Sequence, residues 1–204
     1  DFALPAEPNF SDVIRPYRFD ESQYSPGVQV TGEPRARTFS GYSRPGGRGA
    51  GTRNYIVVVG TSSRTSSFAR KLAARCSDIR ASGVDGIVAI AHTEGGGGEL
   101  PNNADCLLRT LAGFMVHPNV GAVLAVDYGA EAITNTALEG YMAQHNYPLS
   151  SVLHRFMTVE GGFEEQLEIG ERQVRRWLTT ACAERSLQSL SHLRLALQCG
   201  GSDA

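Results

Sequence analysis

Five short segments concentrate the side chains that could do chemistry. Thr61-Ser62-Ser63-Arg64-Thr65-Ser66-Ser67 combines hydroxyls with one guanidinium just ahead of an apolar-periodic stretch. Hydroxyls and Arg at a helix N-terminus suit an anion, while Thr65 or Ser66 can equally serve as a helix cap. His92-Thr93-Glu94 runs into four glycines and Glu99, so His92 is a candidate acid/base group or metal ligand, or else a packed surface histidine. Asp127 and Glu131 lie four positions apart in Asp127-Tyr128-Gly129-Ala130-Glu131, a spacing open to helix capping, catalysis or metal binding. Glu160-Gly161-Gly162 is the fourth segment, and Gln198-Cys199-Gly200-Gly201-Ser202-Asp203 is the fifth. Cys199 is either an inert core thiol or a group facing a ligand.

Each segment follows a run that reads as a strand. Tyr55–Gly60, Gly86–Ala91, Val120–Asp127, Val152–Val159 and Leu193–Cys199 are short and apolar or β-branched. His154 and Arg155 make the fourth run less apolar and place it nearer a sheet edge. Between the runs, Ser66–Arg80, Ala104–Val116, Ile133–Gln144 and Phe163–Ala183 show helical spacing. Such alternation predicts an α/β fold, a three-layer Rossmann-like parallel sheet of about five strands in doubly wound order. All five polar segments then fall on the rim at the carboxyl ends of the strands, where open parallel sheets bind ligands. No comparable set is evident at the amino ends. Residues 1–52 are rich in Pro, Gly and Arg, with isolated aromatics and no sustained period. They read as an extended N-terminal arm preceding an α/β domain at 53–204, the truncated part of a longer protein.

Composition removes several function classes. Hydrophobic residues make up 41% and charged residues 20%, values that argue against global disorder. A net charge of −2 argues against a nucleic-acid binder, and no apolar run is long enough to span a membrane. The four cysteines form no CxxC pair, which disfavours a zinc ribbon and fits a reducing, cytoplasmic setting. Lys71 is the single lysine, so Schiff-base chemistry is improbable. Gly46-Gly47-Arg48-Gly49-Ala50-Gly51 precedes a strand, whereas dinucleotide and P-loop fingerprints follow one. A nucleotide-binding enzyme is therefore a minor alternative.

Three groups of residues carry a family resemblance. Gly41-Tyr42, Arg48 and Gly51-Thr52-Arg53-Asn54-Tyr55 resemble the opening motif of the altronate/galactarate dehydratase family. Leu111-Ala112-Gly113 with His117-Pro118-Asn119, and Gln198–Asp203, resemble two further family motifs in order and spacing. The resemblance implies a hydro-lyase that dehydrates a sugar acid to a 2-keto-3-deoxy acid with a divalent metal. It assigns catalysis to His92 and Glu131. Substrate binding falls to Thr61, Ser62, Ser63, Arg64, Thr93, Gly200, Gly201 and Ser202. Metal ligation falls to His92, Cys199 and Asp203, with Arg53 and Asn54 bracing the rim from below or closing the first strand. The resemblance implies Fe2+ or Mn2+; cysteines that the family carries in its first three loops are replaced here, which favours the harder Mn2+ or makes Mg2+ an option. The implied partners are a small-molecule sugar acid and two further domains of the same protein, an N-terminal SAF-type domain and a C-terminal one. The isolated segment is expected to self-associate and to be inactive alone. The alternative function is a catalytically silent sugar-acid-binding or scaffolding domain of the same fold.

Overall fold

The computed structural model describes residues 18, 20–23, 25, 27, 37–196 and 198. The chain divides into two compact units, residues 1–35 and 36–204. In the first, Asp20 holds Glu21–Gln23 in one 3-10 turn by accepting the Ser22 N–H at 3.0 Å and the Ser22 hydroxyl at 2.6 Å.

The second unit is built on four parallel strands: β3 (Tyr55–Gly60), β4 (Gly86–Ile90), β5 (Val120–Asp127) and β6 (Leu153–Thr158). Their order is β4-β3-β5-β6, so the chain first moves outward from β3 to β4, then crosses back to β5 on the other side. This doubly wound order puts the switch point between β3 and β5. β6 is an edge strand, as its His154 and Arg155 suggest, and both are exposed.

The period-two alternation of the central strands sorts the core into two layers. Ile56, Val58, Leu124 and Val126 pack against α1 (Ser66–Arg75) and α4 (Phe163–Thr180) through Phe68, Leu72, Leu167 and Trp177. Val57, Val59, Val123 and Ala125 pack against α2 (Ala104–Met115) and α3 (Asn135–Gln144) through Leu107, Leu111, Leu138 and Met142. Each fully buried Leu, Ile or Phe contributes about 1.5–3 kcal/mol. α4 approaches α1 closely because Gly170 has no side chain. A Cβ there would lie 2.6 Å from Leu72 Cδ2.

Two expectations about the chain's margins change. Residues 38–51, read as the end of an extended arm, form the hairpin β1 (Thr38–Arg44) and β2 (Gly49–Gly51). Its turn runs through Gly46, Gly47 and Gly49, all at positive φ. The parallel sheet has four strands, and the strand that follows α4, β7 (Ser186–Ser189), pairs antiparallel with β1 in a separate three-stranded sheet. The described residues of Leu193–Cys199 carry no strand.

The hairpin also places a polar network at the amino ends of the strands, where none was expected. Arg48 donates to the carbonyls of Val116, Ser151, His117 and Val120 at 2.9, 3.2, 2.8 and 2.6 Å. Arg44 donates to Pro118 O at 2.7 Å and to Asn54 Oδ1 at 2.8 Å. Asn54, 1% exposed, sends its amide to the carbonyls of Gly83 and Ala181. Asn119 Oδ1 receives the backbone N–H groups of Thr52 at 2.8 Å and Arg53 at 3.1 Å. Burial, with Arg44 beside it, pushes the Arg48 guanidinium down to about 10. Arg48, Asn54 and Asn119 belong to the motifs that carried the resemblance, and Asn54 closes the first strand as one reading of it allowed.

Candidate functional site

The loops after β3, β4 and β5 meet at the carboxyl ends of the strands. The loop after β4 crosses the end of β3: Glu94 O accepts the Ser63 N–H, and Gly97 O accepts the Ala132 N–H, each at 2.7 Å. Glycine is required along this crossing. A Cβ on Gly96 would lie 2.1 Å from Ser63 Oγ, and Gly95 has φ +71 with Ile133 Cγ1 at 2.7 Å from its Cβ position. The four-glycine run is thus a backbone strap over the switch point.

Under the strap the expected site residues fall into two groups. Thr61, Ser62 and Glu131 are buried. Thr61 Oγ1 donates to Val126 O at 3.2 Å. Ser62 Oγ donates to Glu131 Oε1 at 3.0 Å. The Glu131 carboxylate also accepts the N–H groups of Tyr128 and Ala130, both at 3.0 Å. These groups fix the loops to one another. Ser63 is half-buried, while Arg64 and Thr93 are exposed and can reach a ligand. Thr65 does not cap α1 through its side chain; its hydroxyl instead bonds Ser62, and Ser66 Oγ bonds the His92 carbonyl. Cys199, Gly200, Gly201, Ser202 and Asp203 lie outside the described residues.

His92 turns its Nδ1 toward the Glu94 N–H at 3.2 Å. An accepting Nδ1 is unprotonated, so the hydrogen-bond network assigns the ring proton to Nε2. That Nε2 is buried without a partner among the described residues. The histidine lines a mainly apolar cavity of about 310 Å³ with Ile90, Leu107, Thr110, Leu111 and Phe114. Metal ligation through Nε2 requires that proton to move and the Glu94 contact to break.

Two further groups belong to this rim: Asp127, which the sequence left open to capping, catalysis or metal binding, and Asn135, which it did not single out. Asp127, 2% exposed, accepts the Asn135 N–H on Oδ2 at 2.7 Å and so caps α3, leaving Oδ1 unpartnered. Asn135, 7% exposed, donates to Met157 O at 3.1 Å and leaves its own Oδ1 unpartnered. Asp127 was visible at the end of its strand, whereas nothing in the local sequence distinguishes Asn135 from an ordinary first-turn helix residue. Among the described residues, the three buried side-chain atoms without a partner are His92 Nε2, Asp127 Oδ1 and Asn135 Oδ1. All three sit at the carboxyl ends of the strands. Buried polar groups are seldom left unpaired, so each of these atoms calls for a partner from outside the fold, a water or a ligand.

No group of three metal-binding side chains forms among the described residues. Of the three expected ligands, His92 alone lies within them, and the described donors by themselves do not fit a metal centre.

Residues 41–182 match the family model described as D-galactarate dehydratase/altronate hydrolase, second domain. The chain belongs to this family. The match runs from β1 to the residues after α4, and so takes in both ends of the parallel sheet. The chain is also 28% identical over 205 residues to altronate dehydratase of Bacillus subtilis (strain 168). That similarity covers 96% of this chain but 37% of the relative, so the domain spans well under half the length of the curated protein it matches. No solved structure shows a significant match to it. Among the described residues, no helix is long and apolar enough to cross a membrane.

Proposed function

We propose that this chain is the second domain of a cytoplasmic sugar-acid dehydratase, a hydro-lyase acting on an altronate- or galactarate-like substrate. The observation that carries the reading is that the unpartnered buried polar atoms all fall at the carboxyl rim, in a domain of this family. Loss of an α-proton and a β-hydroxyl as water leaves an enol that ketonises to a 2-keto-3-deoxy acid. Arg64, exposed beside the N-terminus of α1, offers a bidentate fork to the substrate carboxylate. His92 presents Nε2–H as a neutral hydrogen-bond donor, a form suited to an oxygen that gains negative charge as the α-proton leaves. Glu131, with its contacts in place, serves by holding Ser62 and the Tyr128–Ala130 loop. A divalent metal, Fe2+ or Mn2+ with Mg2+ an option, would need donors beyond the described residues. Its donors would come mainly from residues 199–203 and from other domains of a longer protein.

A catalytically silent binding or scaffolding domain is favoured by one observation: Thr61, Ser62 and Glu131 are buried and bonded within the protein. The two readings separate in an assay of the polypeptide that contains this chain. It would be incubated with altronate or galactarate and Fe2+ or Mn2+, and 2-keto acid would be measured. Metal-dependent product is the expected result. Saturable binding without product supports the silent domain, and neither binding nor product contradicts both.

A further inference from the structure

At the opposite end of the sheet lies a cavity of about 440 Å³ between the β1–β2 turn and the corner where α2 leads into β5. Four basic or imidazole side chains line it, Arg48, His117, His192 and Arg194, and its lining contains no carboxylate. The hydrogen bonds of its wall have a consistent direction. The carbonyls of Val116 and His117, which would otherwise give the α2 C-terminus a negative face, are turned onto Arg48. Asn119 spends its Oδ1 on the backbone N–H groups of Thr52 and Arg53, which leaves its amide N–H groups as donors. His117 Nδ1 accepts the Asn119 N–H at 3.1 Å, which leaves Nε2–H as a donor. The wall is therefore rich in donors and poor in free acceptors. Arg48 adds a half-buried positive charge with no carboxylate partner among the described residues.

We infer that this amino-end cavity binds a small oxyanion-bearing molecule, a carboxylate or a phosphate. Acceptor oxygens complement the donors of His117, Asn119 and Arg194, and a negative charge offsets Arg48. The volume falls in the range of small-molecule sites. The cavity is separated from the carboxyl rim by the length of β5, eight residues or roughly 25 Å. It is thus a second site, independent of the proposed dehydration.

The test is an NMR titration of the full 204-residue chain with inorganic phosphate and, separately, with tartrate, following the ring signals of His117 and His192 against a sodium chloride control. Saturable shifts with either probe, absent with chloride, are expected. The tighter probe identifies the ligand as a phosphate or a carboxylate. Arg194→Ala and His117→Gln, both at exposed positions, should each weaken binding about ten-fold with the unfolding midpoint unchanged. Shifts that equal those in chloride, or that survive both substitutions at unchanged affinity, would overturn the inference.

Discussion

At the amino ends of the strands, Asn54 is 1% exposed, and both its amide and its Oδ1 are engaged. At the carboxyl ends, Asp127 is 2% exposed and half of its carboxylate lacks a partner. The same contrast extends outward. Arg44, Arg48 and the Asn119 side-chain carbonyl oxygen close turns by meeting carbonyls and backbone N–H groups. His92 Nε2 and Asn135 Oδ1 likewise lack partners among the described residues. Among the described residues, the buried side-chain atoms without a partner thus lie at one rim of the sheet, the carboxyl one. Full pairing of buried groups stabilises a fold, and each buried atom left unpaired calls for a partner from outside it, a water or a ligand.

The largest effect expected from this contrast is on stability at the amino rim. Arg48→Ala removes four hydrogen bonds and strands the carbonyls that accepted them. The loss in urea unfolding should be about 3–5 kcal/mol. A loss below the ordinary surface range would show that the amino rim does not hold the fold. Glu131→Gln comes next, because an amide N–H2 would face the N–H groups of Tyr128 or Ala130, donor against donor. About 2 kcal/mol is expected, and a neutral outcome in the same unfolding experiment would show that the loop network is dispensable.

Acid should also act at the amino rim. Burial alone would raise Asp85, but bonds from the Asn54 N–H, Tyr42 and Arg185 hold its carboxyl below its ordinary value. Its folded value is thus below the unfolded one. The stabilisation is present above the unfolded value and is lost as pH falls through the folded value. Unfolding midpoints between neutral pH and pH ~3 should decline less steeply in Asp85→Asn than in the wild type. Identical slopes would remove Asp85 from the network. The smallest change in stability belongs to Arg64→Ala, an exposed residue on the other rim. Its midpoint should stay within about 0.5 kcal/mol of the parent, while KM for a sugar acid rises about ten-fold or more. An unchanged KM would take carboxylate binding away from Arg64.

Much of this architecture is legible in the sequence, for local reasons. The strands at Tyr55–Gly60 and Val120–Asp127 and the start of α4 at Phe163 carry periods that survive folding unchanged. α1 stops at Arg75, short of the expected Arg80, where the chain turns through Ser77 and Ile79. The hairpin was hidden because Thr38–Gly51 has turn glycines and arginines but no apolar period, and its β7 partner is distant in the chain. The carboxyl rim was located by topology alone, since polar residues that follow strands must gather there. What could not be read is the state of each group. Ser62 and Arg64 are two positions apart, yet one is buried on Glu131 and the other exposed, a difference set by the strap crossing between them.

The most direct measurement compares His92→Gln with the parent in the protein that contains this domain, reading keto-acid formation and the unfolding midpoint together. The account predicts turnover reduced about 100-fold or more with an unchanged midpoint, because His92 Nε2 bonds to nothing within the described fold. Turnover that stays at the parental level, or that falls only in step with the midpoint, would contradict it.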